Sequence, residues 1–263
     1  MALRRRFHAY GTAFEVRGDD PALLAEAIAR VRPLGWIETS EADAVIPYAL
    51  RHSGETAGPP TVTALCDGDV IARDVPRDEA LNAFEDHAKL QTALGAKGLL
   101  FVHAGVVVWR GRAIVLPGRS LAGKSTLVKA LVDAGAEYYS DEYAVLDPDG
   151  RVHPCPLPLS LRVAGAVRPV RRSADLLGAT IGTQPAPLSL IAVTEYHAGA
   201  RWQPVPVSPA AAFLALMEHT VAAQQPPADT MPFLKAAVMS ARSIRSVRGE
   251  AAQVVPELLA GVP

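Results

Sequence analysis

"LPGRSLAGKST", residues 116–126, is the stretch on which the reading of this chain turns. It contains Gly118-x-x-x-x-Gly123-Lys124-Ser125, the spacing of a loop that cradles phosphate. Gly118 and Gly123 let backbone N–H groups turn toward phosphate oxygens with no Cβ in the way. Arg119, Ser120, Leu121 and Ala122 complete the arch between them. Lys124 can reach the β- and γ-phosphates as a point charge, and Ser125 can offer its hydroxyl to Mg²⁺. The flanks fit the motif. "AIVLP" (113–117) reads as a strand entering the loop, and "KSTLVKALVDAGA" (124–136) as a helix ending near Gly135. That helix adds free N–H groups and its dipole at the anion. ATP with Mg²⁺ is the expected cofactor set, and the loop does not separate ATP from GTP.

Outward from the loop, "LLFVHAGVVVW" (99–109) is a β-rich run joined to the next strand through Arg110-Gly111-Arg112. "EYYSDEYAVLD" (137–147), "RVHPCPLPLSLR" (151–162) and "LSLIAVTEY" (188–196) supply further strands. "SPAAAFLALMEHTV" (208–221) is a helix opened by Ser208 and Pro209, and "VAAQQPPADT" (221–230) is a loop. A helical stretch, a strand "SIRSVRG" (243–249) and a helix "EAAQVVPELLA" (250–260) end the chain.

Residues 1–98 have a different texture, that of a small α+β segment. Asp20-Pro21 starts a helix over "ALLAEAIARV" (22–31). "TVTALCDGDVIARDV" (61–75) is a hairpin around Asp67-Gly68-Asp69. A second helix, "RDEALNAFEDHAKLQTALGAK" (77–97), offers Leu81, Phe84, Ala88 and Leu94 for packing. The segment carries no evident chemistry, so a scaffold or a substrate-docking surface is its expected role.

The 263 residues are 49% apolar and 20% charged, an ordinary globular composition. A net charge of −1 argues against indiscriminate binding to nucleic acid or to an anionic membrane. Cys66 and Cys155 form neither a close pair nor a metal-ligand spacing, which points to a reducing, cytoplasmic setting. The basic start is followed by no apolar core of a signal peptide, and no apolar run approaches a membrane span.

A loop alone makes no enzyme, and the next question is where the acids lie. Asp141 and Glu142 stand at the end of a strand that leaves the loop helix, where two carboxylates could hold a metal and accept a proton. A capped, solvated turn explains the same dipeptide. His103 sits in mid-strand, where a buried, satisfied histidine is the usual explanation.

Taken together, "HAGVVV", "LPGRSLAGKST" and "YYSDEYAVL" resemble the catalytic domain of HPr kinase/phosphorylase and its wider set of HPr-kinase-like proteins. His103 stands fifteen residues before Gly118, and Asp141 sixteen after Ser125, as the corresponding residues do in that family. The resemblance covers about residues 99–165. It implies a mixed α/β fold: a P-loop catalytic core over residues 99–263, with twisted β-sheets and flanking helices, plus the N-terminal α+β segment. It also implies roles. Lys124 and Ser125 would hold the triphosphate and Mg²⁺, with Thr126 near the α-phosphate. Asp141 would accept the proton of the attacking serine hydroxyl, Glu142 would support the metal, and His103 would help to order the site. Arg162, in "LSLR" (159–162), would lie on the phosphate or substrate side.

Departures sharpen the comparison. Leu121 occupies a glycine position of the bacterial regulatory enzyme, and Ser160 stands where that enzyme has a metal-binding glutamate, which moves metal ligation onto Ser125 and Glu142. The chain is more similar to the small HPr-kinase-like proteins, some of which phosphorylate a serine in a ribosomal peptide precursor such as that of a lasso peptide. The expected partner is therefore a peptide or protein with an acceptor serine; a homo-oligomer remains open. Two other readings stand beside the kinase: a nucleotide-binding regulatory module without catalysis, and a kinase of a small-molecule alcohol. Finally, Arg242, Arg245 and Arg248 in "ARSIRSVR" form either a solvated basic face or a surface for an acidic peptide or a nucleotide.

Overall fold

The computed structural model describes residues 3–40, 45–53, 60–118, 123–161, 170–173, 178–221 and 230–262. It is a mixed α/β chain of two compact units, Met1–Lys97 and Gly98–Pro263.

The first unit is a sheet of order β3-β1-β2-β4-β5-β6 with two helices. Its strands are β1 (Leu3–Ala9), β2 (Thr12–Gly18), β3 (Ile37–Glu38), β4 (Ile46–His52), β5 (Thr61–Cys66) and β6 (Asp69–Pro76). Asp20 caps α1 (Pro21–Val31) by accepting from the N–H groups of Ala22 and Leu23, as its sequence position predicts. Leu81, Phe84 and Ala88 of α2 (Arg77–Gly95) are buried, whereas Leu94 is 49% exposed. Leu94 therefore falls outside the packed stripe, one residue before the helix ends. Phe14 stacks on Trp36 at 4.1 Å, Tyr48 meets Phe84 edge-on at 5.0 Å, and the Trp36 indole N–H donates to Thr92 Oγ1 at 3.0 Å.

Hairpins in both units turn on one device. Tyr10-Gly11, Asp67-Gly68 and Arg110-Gly111 all have positive φ at both positions, the conformation whose twist matches paired antiparallel strands.

In the second unit, β7 (Leu100–Trp109) and β8 (Arg112–Pro117) form the hairpin that delivers the chain to the phosphate loop. The loop leads into α3 (Lys124–Asp133), then β9 (Glu137–Ser140), β10 (Tyr143–Leu146), β11 (Arg151–His153) and the short pair β12 (Leu159–Leu161) and β13 (Val170–Arg172). After these come β14 (Ala186–Tyr196), β15 (Val205–Pro206), α4 (Pro209–Glu218), α5 (Thr230–Ser240), β16 (Arg242–Arg248) and α6 (Ala251–Ala260). β11 pairs with both β10 and β14, so the path β11-β10-β7-β8-β14 returns to its start. β8, β14 and β16 run parallel as neighbours.

Apolar residues on both faces explain the layering. Val107, Ile114, Leu116, Leu190 and Ala192 face Leu127, Val128 and Leu131 of α3 and Val254 and Leu258 of α6. Val106, Val108, Ala113, Val115 and Ile191 face Ala212 and Leu216 of α4 and Leu234 and Ala237 of α5. Such two-sided burial requires near-continuous apolar strands, which is how β7 and β8 read in the sequence. Among the described residues no helix is long and apolar enough to cross a membrane.

Candidate functional site

Three parallel strand ends meet at the phosphate loop. β8 runs out at Pro117, β14 at Tyr196 and β16 at Arg248, with Tyr196 and Arg248 in register. The carboxyl ends of adjacent parallel strands are where open α/β sheets leave room for ligands, because the chain departs from the sheet there.

Of the loop, Gly118 and Gly123 are described, while Arg119, Ser120, Leu121 and Ala122 lie outside the described residues. Gly118 continues β8 and donates weakly to the His103 carbonyl at 3.4 Å. Gly123 precedes α3 with φ +80°, a conformation that favours glycine. A Cβ there would also lie 2.4 Å from Arg248 Nη2. Lys124 Nζ donates to the Gly118 carbonyl at 2.6 Å, so the ammonium folds back onto the first glycine of the loop. Partial burial pulls the Lys124 pKa down, and the carboxylates of Asp141 and Glu142 oppose that shift. Thr126 follows on the exposed side of α3.

Asp141 is the centre of the polar network. It lies in the break between β9 and β10, 7% exposed. Its Oδ2 accepts from Ser125 Oγ at 2.8 Å and from the Ser160 backbone N–H at 3.1 Å, and its Oδ1 accepts from the Tyr138 hydroxyl at 3.3 Å. Tyr138 in turn reaches the Leu157 carbonyl at 2.5 Å. The Ser140 hydroxyl accepts from the N–H groups of Glu142 at 3.1 Å and Tyr143 at 2.9 Å, which shapes the turn that carries both acids.

His103 pairs with Tyr143 across β7 and β10, their rings 5.0 Å apart. The imidazole is exposed, contrary to the buried histidine that its mid-strand position suggests. Phe101 and Gly105, on either side of it along the same face of β7, are buried. Partial desolvation, then the Lys124 ammonium and His219, hold its pKa below the ordinary value, and a hydrogen bond with the Glu142 backbone works the other way. Arg162 lies outside the described residues.

No family model matches this chain. No curated protein matches it either. Among solved structures it is similar to the Hpr(Ser) kinase/phosphatase from Coxiella burnetii, with a TM-score of 0.35 and 13% identity, over 61% of this chain and 93% of that one.

The structure thus brings Lys124, Ser125, Asp141, Glu142 and His103 to one end of the sheet. Sequence reasoning missed Tyr138, the Ser160 backbone and the special place of Arg248. Arg242 and Arg245 are exposed on β16, as a solvated basic face requires, but Arg248 is buried against the loop. Reading "SIRSVR" as a strand that ends beside the phosphate loop is the signal that would have singled it out.

Among the described residues no group of three or more His, Cys, Asp or Glu could by itself hold a metal. Ser125 Oγ and Asp141 Oδ2, 2.8 Å apart, are nonetheless the hydroxyl and carboxylate that suit a hard cation whose remaining ligands are phosphate and water. The residues present fit Mg²⁺.

Proposed function

We propose that this chain is an ATP- and Mg²⁺-dependent kinase that transfers the γ-phosphate to a serine or threonine hydroxyl of a peptide or protein. The observation that carries this reading is the bond from Ser125, the loop serine, to the carboxylate of Asp141. A phosphate loop whose serine is coupled to an acid at a strand end is the pairing that nucleoside-triphosphate enzymes use. The polypeptide acceptor rests on the resemblance of the histidine, loop and acid-pair elements.

The roles divide as follows. Backbone N–H groups from Gly123 onward and the Lys124 ammonium bind the polyphosphate. Ser125 and Asp141 would hold Mg²⁺, which when bound neutralises charge on the phosphate oxygens. The resemblance makes Asp141 the base and Glu142 the metal support, but the Ser125–Asp141 bond favours the opposite division. Because Asp141 is the acid bonded to the loop serine, the metal is assigned to it and the hydroxyl proton to Glu142, half-buried beside it and close to Lys124. In the step itself the hydroxyl oxygen bonds to the γ-phosphorus, its proton passes to the Glu142 carboxylate, and the bond to the β–γ bridging oxygen breaks to release ADP. Alignment and charge neutralisation supply most of the acceleration in such a reaction.

Following γ-labelled ATP with serine-containing peptides, host protein extract and small alcohols tests the proposal. Label on polypeptide supports it. Label on a small molecule supports the alcohol-kinase alternative, and nucleotide binding without transfer supports a regulatory module. The three bonds that already occupy Asp141 are the observation favouring that last reading.

A further inference from the structure

Arg248, at the end of β16, is 1% exposed. Its Nη2 donates to the Gly123 carbonyl at 2.7 Å, across 125 residues of sequence, and its Nη1 to the Gly249 carbonyl at 3.0 Å. Nε is buried with no hydrogen-bond partner among the described residues. The guanidinium lies 5.5 Å from the centre of the Tyr196 ring, whose hydroxyl donates to Glu250 at 2.9 Å. Both of the arginine's hydrogen bonds run to neutral carbonyls, so a positive charge is held out of water at the foot of the loop, offset in part by Glu250.

Peptide geometry turns this contact into a statement about the anion site. The Gly123 carbonyl and the Lys124 N–H belong to one planar trans peptide, so their directions are opposed. The carbonyl also accepts from Leu127 N–H at 3.1 Å as the first acceptor of α3. Anchoring that oxygen to Arg248 therefore directs the Lys124 N–H, one of the first N–H groups of α3, away from β16. A cation on the carbonyl polarises the same peptide and makes its N–H a stronger donor.

We infer that Arg248 is a positioning residue for the polyphosphate: it pins the Gly123–Lys124 peptide and adds buried positive charge behind the loop. The inference rests on the nucleotide-binding reading above and deepens it. Because the contact acts on the phosphates in both ground and transition states, its loss raises KM and leaves kcat nearly unchanged.

The test compares the full-length parent with Arg248→Met and Arg248→Lys. Dissociation constants for Mg·ATP, tripolyphosphate and adenosine are measured well below the melting temperature of each variant. Arg248→Met should weaken ATP and tripolyphosphate by the same factor, about tenfold or more, the scale found for residues that orient ligating groups. Adenosine binding should not change. Arg248→Lys keeps the charge but not the two-carbonyl fork, and should lose less. Wherever transfer is measurable, kcat at saturating ATP should stay within about threefold. Unchanged tripolyphosphate affinity in Arg248→Met overturns the inference, even if its melting temperature falls, because a purely structural role would lower stability alone. Should Arg248→Met not fold, unchanged affinity in Arg248→Lys overturns it. A parent that binds neither ATP nor tripolyphosphate removes the nucleotide reading itself, a distinguishable result.

Discussion

Replacing Asp141 by asparagine separates architecture from chemistry at this site. The carboxylate serves three donors: Ser125 Oγ and the Ser160 N–H at Oδ2, and the Tyr138 hydroxyl at Oδ1. An asparagine whose amide oxygen takes the Oδ2 position keeps the first two bonds. Its NH₂ then faces Tyr138, whose one hydroxyl proton, shared between Asp141 and the Leu157 carbonyl in the parent, can go wholly to Leu157 while its oxygen accepts. The network can thus be satisfied again. What is lost is the charge assistance of three bonds, offset by no longer burying a carboxylate in a site only 7% exposed. These terms oppose each other, so nucleotide-free stability should change by within about 1 kcal/mol, or about 2–4 °C in Tm. Function should not survive as well. Without the negative charge beside Ser125, the Mg²⁺-dependent part of ATP affinity should largely disappear. Transfer should fall by about 3–5.5 kcal/mol in barrier, the several kcal/mol of charge stabilisation that a held metal supplies, or about 10²–10⁴ in rate. Thermal melting without ligand, ATP titration with and without Mg²⁺, and label transfer measure the three effects separately. Parental Mg²⁺ dependence together with parental transfer would refute the assignment and leave Asp141 as the acid of a capped turn.

Further expectations follow from the same contacts. Lys124→Ala should remove most of the rise in Tm that Mg·ATP produces, since a ligand of the folded state stabilises by mass action; an unchanged shift would mean that the loop is not the site. Glu142→Gln should depress transfer while leaving the Mg²⁺ dependence of ATP binding intact, and the reverse pattern in those two assays would restore the division of roles implied by the resemblance. Glu15 is buried, and a hydrogen bond from Arg6 leads the causes that hold its pKa below 4.5, with Arg17 assisting. Its stabilising contribution is present above pH 4.5 and is lost as pH falls through the lower folded value, so urea midpoints should drop more between pH 6 and pH 3 in the parent than in Glu15→Gln. Gly105→Ala would bring a Cβ to 2.6 Å from Val128 Cγ2, where β7 supports α3. It should cost about 1–3 kcal/mol in chemical unfolding, because a helical valine has little rotamer freedom with which to yield.

Local chemistry made much of this protein legible without coordinates. Asp20-Pro21, Ser208-Pro209, Asp67-Gly68 and Arg110-Gly111 announce their caps and turns because the signal and its effect lie within a few residues. The phosphate loop is legible for the same reason, between a strand and a helix of adjacent sequence. Tyr10-Gly11 makes the same turn as Asp67-Gly68 yet went unread, since a tyrosine at φ 50° has no side-chain signature for it. Its flanking strands are also rich in charge, from Arg4, Arg5 and Arg6 to Glu15 and Arg17.

Only tertiary structure could decide what surrounds the loop. Ser125 and Asp141 meet because β9 returns antiparallel to β7, and hydrogen-bonding partners are set by strand order rather than by residue type. His103 is exposed between buried Phe101 and Gly105 on the same face of β7, which no periodicity within the strand encodes. Arg242, Arg245 and Arg248 look alike in sequence. β16 leaves two of them in water and carries the third to the Gly123 carbonyl, because it lies parallel to β14 and runs on past the end of β8. Propensity and capping act along the chain and can be read from it, whereas burial and charge pairing arise between segments brought together only by the packed sheet.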